Sequence, residues 1–478
     1  MDIIICTYVQ IQPFIINKKM GLDRMKVCKF GGTSVASAQQ IKKVAEIVRA
    51  DPSRKIVVVS APGKRFEADL KVTDLLITLT EIALSGKNTQ EQLTLVINRY
   101  KEIAQGLGLD HEIVEMIEND LQNRLAADKG NIEQFTDSLK ASGEDISAKL
   151  VAAYLISIGL RAEYINPNEA GLFVTSYPNR AQVLPESYSH LASLREKASI
   201  IVFPGYFGYT KEGVLRTFER GGSDITGAIL AAAVHAELYE NFTDVDCVFA
   251  ANPRIVDNPV EIDKMTYREM RELSYAGFAV LHDEALMPAF KELIPVCIKN
   301  TNNPIATGTM IVAKRDIVLR PVTGISADSG FSTLYVSKYL MNREIGFGRK
   351  LLQILEDEDI SYEHIPSGID DLSVILRSHQ LTTDKEKRII HRIYTELEAD
   401  DVHIRNDLSM IVLVGEGMNN TTGLAARATA AISRTGANIE MINQGSSEVS
   451  LVFGVLKQDE TKILKELYSE FFAAALVL

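Results

Sequence analysis

The 478-residue chain has little cysteine, and what it has is scattered: Cys6, Cys28, Cys247 and Cys297, with no C-x-x-C pair. That spacing excludes a disulfide framework and a structural zinc site, and it fits a reducing cytoplasm. No block of lysine and arginine offsets the net charge of −12 (51 Lys plus Arg against 63 Asp plus Glu), so no nucleic-acid partner is expected. Long apolar runs are missing too. Ile3-Ile4-Ile5-Cys6 is too short to span a bilayer, and its flanking charges, Asp2 before and Lys18-Lys19 after, run in the wrong order for a signal peptide. No membrane partner is expected. Residues 1–24 read as an extension, an over-called start with Met25 the true first residue, because a strand pattern begins there. Three motif classes are absent: G-x-x-x-x-G-K-[ST], the pair H-R-D and D-F-G, and H-E-x-x-H. The P-loop and protein-kinase architectures are therefore unsupported, as is the zinc-protease helix.

What is present is ordinary globular composition, 46% hydrophobic and 24% charged, with length for about three domains. From Met25 to about Thr309, short apolar runs alternate with helical segments. Ile56-Val57-Val58-Val59-Ser60 ends in Ala61-Pro62-Gly63, and Ser199-Ile200-Ile201-Val202-Phe203 ends in Pro204-Gly205. Runs apolar on both faces, closed by Pro-Gly turns, predict buried parallel strands in an α/β sandwich. Helical spacing covers Leu75–Leu84, Leu93–Leu107, Ile146–Ile158 and Ile225–Leu238.

The C-terminal third contains a repeat. Gly346-Phe347 recurs 77 residues later as Gly423-Leu424, and at the same offset Glu363-His364-Ile365 aligns with Glu440-Met441-Ile442. Gly368 to Val374 aligns with Gly445 to Leu451 without a gap. Each unit reads strand, Gly turn, helix, strand, turn, strand, helix: a βαββαβ-like module present twice.

Two Gly-Gly doublets stand in matching contexts. Lys29-Phe30-Gly31-Gly32-Thr33-Ser34 follows a strand, and Arg220-Gly221-Gly222-Ser223-Asp224 directly precedes a helix. A glycine pair admits a ligand close to the backbone, and the free N–H groups of the following helix favour an anion. One doublet alone reads as a tight turn; two with flanking charge point to a site. Three weaker features accompany them. Lys71-Val72-Thr73-Asp74 reads alone as a helix cap. Gly143-Glu144-Asp145 reads as an acidic helix opening, and Thr243-Asp244-Val245-Asp246 as a polar loop after a strand. His282-Asp283-Glu284 reads as a helix end with solvated acids, so no protein metal site is expected.

Together, Lys29 to Ser34, Arg220 to Asp224 and Thr243 to Asp246 resemble aspartate kinase, and the C-terminal repeat resembles that family's paired ACT modules. The resemblance covers Met25 to the C-terminus. It implies an amino-acid-kinase-like αβα sandwich with a mainly parallel sheet over 25–318. Two ACT-like modules would follow at 319–406 and 407–478. The implied reaction is ATP-dependent phosphorylation of the L-aspartate side-chain carboxylate, with Mg²⁺ held mainly through the phosphates. Lys29 and Asp224 would be catalytic. Lys29, Gly31, Gly32, Ser34, Thr243, Asp244, Phe249 and Arg254 would contact the nucleotide. Thr73, Glu144, Arg220, Gly221, Gly222 and Ser223 would bind aspartate, with Glu144 suited to its ammonium group. Departures from the family's pattern are Cys247, Phe249, Ala279 where many relatives carry a lysine, and Asp283.

The implied effector site is Met341, Gly346, Phe347 and Gly348 facing Ser361, Tyr362 and Glu363, and the acid of Glu363 suits L-lysine, with threonine the runner-up. A cytoplasmic homodimer through the ACT modules is expected. Two rivals are another enzyme of the same fold, acting on N-acetylglutamate, glutamate, carbamate or UMP, and a non-catalytic ACT-bearing amino-acid sensor.

Overall fold

The computed structural model describes residues 24–219, 221–278, 281, 285–316, 320–445 and 449–473, without the side chain of residue 420. Residues 1–23 of the opening extension, Arg220, Ala279, His282-Asp283-Glu284, the expected boundary at 318/319 and the 446–448 part of the repeat lie outside these residues.

An eight-stranded sheet carries the first part of the chain. Its order is Lys264–Thr266, Thr309–Val312, Val296–Asn300, Leu238–Thr243, Lys26–Phe30, Arg54–Val59, Ile200–Pro204, Ala162–Tyr164. The six strands from Val296–Asn300 onward are mutually parallel; the Thr309–Val312 pair at one edge runs against them. Side chains alternate between two covered faces, as the continuous apolar runs require. Cys28, Phe30, Val57 and Val59 pack beneath helices Ala38–Ala50, Val72–Leu84, Gln90–Leu107 and Ile132–Ser157. Val27, Ile56, Val58 and Tyr239 pack on the opposite face against helix Gly222–Ala233.

Two expectations need correction. The alanine-rich helix stops at Ala233, not Leu238: His235 turns at φ 46° and Leu238 opens a central strand. Gly143-Glu144-Asp145 does not open a helix but sits in the middle of the 26-residue helix Ile132–Ser157. A Cβ on Gly143 would lie 2.8 Å from the Ala61 Cβ, so the glycine marks the point where this helix crosses close over the end of strand Arg54–Val59.

The C-terminal part forms a five-stranded antiparallel sheet in the order Asp371–Arg377, Gly324–Ser337, Asp401–Val414, Ser450–Leu456, Met441–Gln444. The two long strands are shared. Phe331–Ser337 pairs with the Asp401–Leu408 half, beneath helices Phe347–Asp357 and Thr383–Leu397. Gly324–Ser329 pairs with the Ser409–Val414 half, on the side of helices Leu424–Arg434 and Glu460–Tyr468. The chain thus starts one module, completes the other, and returns through an unbroken strand that runs across residue 406. The repeat is visible in its glycines: Gly346 and Gly423 both cap helix N-termini, at φ 83° and 82°.

The two parts are joined by buried polar contacts. Glu269, fully buried, accepts hydrogen bonds from Arg315 (2.6 and 2.9 Å), Thr323 (2.6 Å) and the Glu416 backbone N–H (3.0 Å).

Candidate active site

The C-terminal ends of the parallel strands open into a cavity of about 470 Å³. Ligand sites of open α/β sheets form at this edge, because successive loops diverge there. Lys29 is the penultimate residue of the strand Lys26–Phe30 and is 7% exposed. Its Nζ lies 2.5 Å from Asp224 Oδ1, and Asn241 Nδ2 donates to the same oxygen at 2.7 Å. The Tyr239 hydroxyl donates to the Asp224 carbonyl at 3.1 Å. A cation and a carboxylate, both largely withdrawn from water, are therefore fixed in direction before any substrate arrives.

Both Gly-Gly turns border this pair. Gly221, at φ 75°, caps helix Gly222–Ala233, and Asp224 occupies its first turn. The first doublet serves a close approach: the Gly63 N–H donates to the Gly32 carbonyl at 2.8 Å, and a Cβ on Gly63 would sit 2.7 Å from the Gly32 carbonyl carbon. Two strand ends are thus pressed together, backbone on backbone, at the cavity floor.

Glu144 reaches the cavity from the long helix. Burial pushes its carboxyl up to about 8, against partial relief from the Ala61 backbone N–H and from Lys29. Its Oε2 has no hydrogen-bond partner among the described residues. A buried acid with an open oxygen is an unmet demand for a donor.

The cavity brings together Lys29, Gly31, Gly32, Thr73, Glu144, Gly221, Gly222, Ser223, Asp224, Thr243 and Asp244 from the expected set. Ser34 lies behind the lining: it is 2% exposed, and its hydroxyl pairs with Thr301 at 2.7 Å. Phe249 and Arg254 are not in the lining; Phe249 pairs with Glu261 in a short hairpin. Arg220 lies outside the described residues. Thr33, the Ser60–Lys64 stretch, Lys71 and Tyr206 complete the wall without having been expected there. Tyr206 holds φ 79°, and burial pushes its hydroxyl up to about 12. A non-glycine residue held in that region beside a cavity is a frequent mark of a functional site.

The expected effector residues fall in two settings. Met341 and Phe347 are buried in the core of the first module, with Gly346 capping and Gly348 in the first turn of helix Phe347–Asp357. The Ser361 backbone N–H donates to Gln380 Oε1 at 2.9 Å, and Tyr362 is exposed. Glu363 accepts from Arg377 Nε at 3.1 Å and lines a cavity of about 160 Å³ with Glu272, Asp328 and Phe331.

A pair of glycine turns, the Lys29–Asp224 contact and a buried acid thus meet at the carboxyl edge of a parallel sheet. Residues 24–300 match the family model described as the amino acid kinase family, and residues 411–471 match an ACT domain. The chain is 56% identical over 453 residues to aspartokinase 3 of Bacillus subtilis, covering 95% of this chain and 100% of that protein. It is 28% identical to the lysine-sensitive aspartokinase 3 of Escherichia coli, covering 94% and 100%. The crystal structure of Clostridium acetobutylicum aspartate kinase superposes with a TM-score of 0.82 at 37% identity, over 94% of this chain and all of that one. The E. coli aspartokinase III complex with aspartate and ADP gives 0.77 at 25% identity, over 94% and 100%. This chain belongs to the aspartokinase family.

Proposed function

We propose that the cavity transfers the γ-phosphoryl group of ATP to the side-chain carboxylate of L-aspartate. The observation that carries this is the Lys29–Asp224 contact of 2.5 Å between two glycine turns, facing the unpartnered oxygen of Glu144. Lys29 neutralises charge on the transferring phosphoryl group, and Asp224, itself held by Asn241, fixes the direction of the ammonium. Gly31 and Gly32 line the phosphates, the Gly31 N–H being itself held by the Phe242 carbonyl at 3.1 Å, and backbone N–H groups at the start of helix Gly222–Ala233 face them. Glu144, when ionised, receives the substrate ammonium and so selects a free α-amino acid. Thr73, Gly221, Gly222, Ser223 and Arg220 complete the aspartate side, and Thr243 and Asp244 the nucleotide side, with Phe249 and Arg254 beyond the lining. The acceptor carboxylate is already ionised near neutral pH, so no general base is needed. Its oxygen attacks the γ-phosphorus as the bond to the ADP oxygen breaks, and ADP leaves with that electron pair. Phosphoryl transfer asks for positioning and charge neutralisation, and Mg²⁺ entering on the nucleotide phosphates supplies further positive charge.

The regulatory half senses L-lysine, with threonine the second candidate. Residues 25–318 form the catalytic part, and the ACT-like modules at 319–406 and 407–478 interlock, Gly324–Ser329 completing the second. Met341, Gly346, Phe347, Gly348, Ser361, Tyr362 and Glu363 form the effector site, and lysine inhibits by binding one domain arrangement more tightly. The lysine-sensitive relative supports this choice. The enzyme works in the cytoplasm as a homodimer through the ACT sheet, whose face beside Tyr335 and His403 borders an open cleft of about 500 Å³.

A substrate panel tests the reading. ADP release should require L-aspartate, stay at background with N-acetylglutamate, glutamate, carbamate or UMP, and fall on lysine titration. Turnover on one of those alternatives, with none on aspartate, would overturn it.

A further inference from the structure

The loop from Pro62 to Lys71 joins strand Arg54–Val59 to helix Val72–Leu84, and most of its side chains are exposed. It is nonetheless anchored from behind. Arg99, 5% exposed, donates from Nη2 to the Gly63 carbonyl at 2.6 Å and from Nη1 to Asp69 Oδ2 at 2.7 Å. Arg65 donates to both Asp69 oxygens, at 2.9 and 3.0 Å, and to Glu102 at 2.6 Å. The Val72 N–H closes the loop on the Pro62 carbonyl at 3.0 Å. The fastening gives the buried Arg99 its partners, and it acts on the loop as well. What the fastening fixes is the position of Lys64 and Lys71 in the cavity wall.

The charges of that wall need those two lysines. Among the described residues its lining carries three lysines, Lys29, Lys64 and Lys71, and three acids, Glu144, Asp224 and Asp244. Lys29 is matched by Asp224. Lys64 reaches only the Glu67 carbonyl, at 3.1 Å, and Lys71 has no partner among the described residues. Without them, the described part of the wall would set one already paired cation, Lys29, against three acids, in a cavity that receives a nucleoside triphosphate and a dicarboxylate. Charged donors left unpaired at a polyanion site are positioned to bind oxyanions.

We propose that Lys64 and Lys71 are catalytic-site residues that grip substrate oxyanions, and that Arg99 is the positioning residue that holds their loop over the cavity. This rests on the aspartokinase reading. The oxyanion comes from an ATP phosphate or an aspartate carboxylate, and kinetics separate the two.

The test is steady-state kinetics on the full chain, varying ATP and L-aspartate separately, for wild type, Lys64→Gln, Lys71→Gln and the double variant. Each single change should lower kcat/KM roughly 10-fold, as expected for a lost charge-assisted hydrogen bond. The substrate whose KM rises identifies the oxyanion, and Lys→Arg changes should restore most of the loss. Arg99→Gln should raise the same KM, and should add little when combined with the double lysine variant, because residues acting through one loop are non-additive. Arg99→Lys should recover part of the effect. Lysine variants within twofold of wild type for both substrates, with unchanged melting temperature, would overturn the proposal while leaving the aspartokinase reading intact. Full additivity of Arg99→Gln would overturn its positioning role. A wild type that forms no aspartyl phosphate would remove both proposal and reading.

Discussion

Replacing Glu144 by glutamine separates the demands of folding from those of substrate binding. The side chain is buried, one oxygen is unpartnered among the described residues, and its carboxyl is raised from 4.5 to about 8. At about 1.36 kcal/mol per unit, that shift corresponds to an upper bound of roughly 5 kcal/mol of stability withdrawn once the group ionises. The sign follows from linkage: a folded-state value above the unfolded one gives stability fully present below 4.5 and lost as pH rises through about 8. Glutamine has the same shape and does not titrate. In the ligand-free protein, Glu144→Gln should therefore gain on wild type as pH is raised from about 5 to about 8.5, read as a growing difference in melting temperature. Binding should move the other way. With Glu144 in its proposed role, aspartate's ammonium requires the ionised carboxylate, so wild-type affinity should rise up to about tenfold per pH unit towards 8 and level off above it. Calorimetry in buffers of different ionisation enthalpy should show one proton released per aspartate bound near neutral pH. The variant should bind roughly 10- to 100-fold more weakly, with little pH dependence. A melting-temperature difference that does not change with pH, or a wild-type affinity flat between about 5 and 8, would refute the reasoning.

Asp224→Asn should lower kcat by about 100-fold with little change in KM for either substrate, because it frees the Lys29 ammonium from its fixed direction. Gly63→Ala places a Cβ 2.7 Å from the Gly32 carbonyl carbon, so it should cost at least about tenfold in kcat/KM in aspartate-dependent ADP release. Glu240 accepts from Arg54 at 2.6 and 2.9 Å, and that partner holds its carboxyl below the usual range despite burial. Its contribution is present above about pH 4.5 and lost as pH falls through the lower folded value. Glu240→Gln should therefore be destabilising at neutral pH, by roughly 3 kcal/mol, and less so in acid, in melts across pH. Glu269→Gln removes a charge from the buried node between catalytic and regulatory parts. It should lower the melting temperature and weaken lysine inhibition more than it changes kcat.

The architecture could be read from the chain because its signals are local. Continuous apolar runs closed by Pro-Gly turns became the central parallel strands, and an ungapped repeat became two modules whose capping glycines share a conformation. Lys29, Asp224 and the two doublets were legible because strand-end glycines beside charge carry a chemical meaning that spacing preserves. Glu144 was harder. Its neighbours look like a helix opening, and only the crossing of Gly143 over Ala61 brings the acid to the cavity. Ser60 to Lys64 showed itself only as the end of a strand and a turn. Its place in the wall comes from the Gly32–Gly63 backbone approach, which no spacing encodes. Ser34 illustrates the converse: a hydroxyl beside a glycine pair turned inward to Thr301. The sharing of the two long strands between the modules was also illegible, because each runs as one continuous strand across both.

The most direct test of the central claim is a hydroxylamine trap run on wild type and Lys29→Ala side by side, with Mg²⁺-ATP and L-aspartate. An acyl phosphate formed on the carboxylate is captured as aspartyl hydroxamate, which plain ATP hydrolysis cannot produce. Hydroxamate from wild type, in step with ADP release, and none above background from Lys29→Ala is the predicted result. ADP release without hydroxamate, or equal hydroxamate from both proteins, would contradict carboxylate phosphorylation at the Lys29–Asp224 centre.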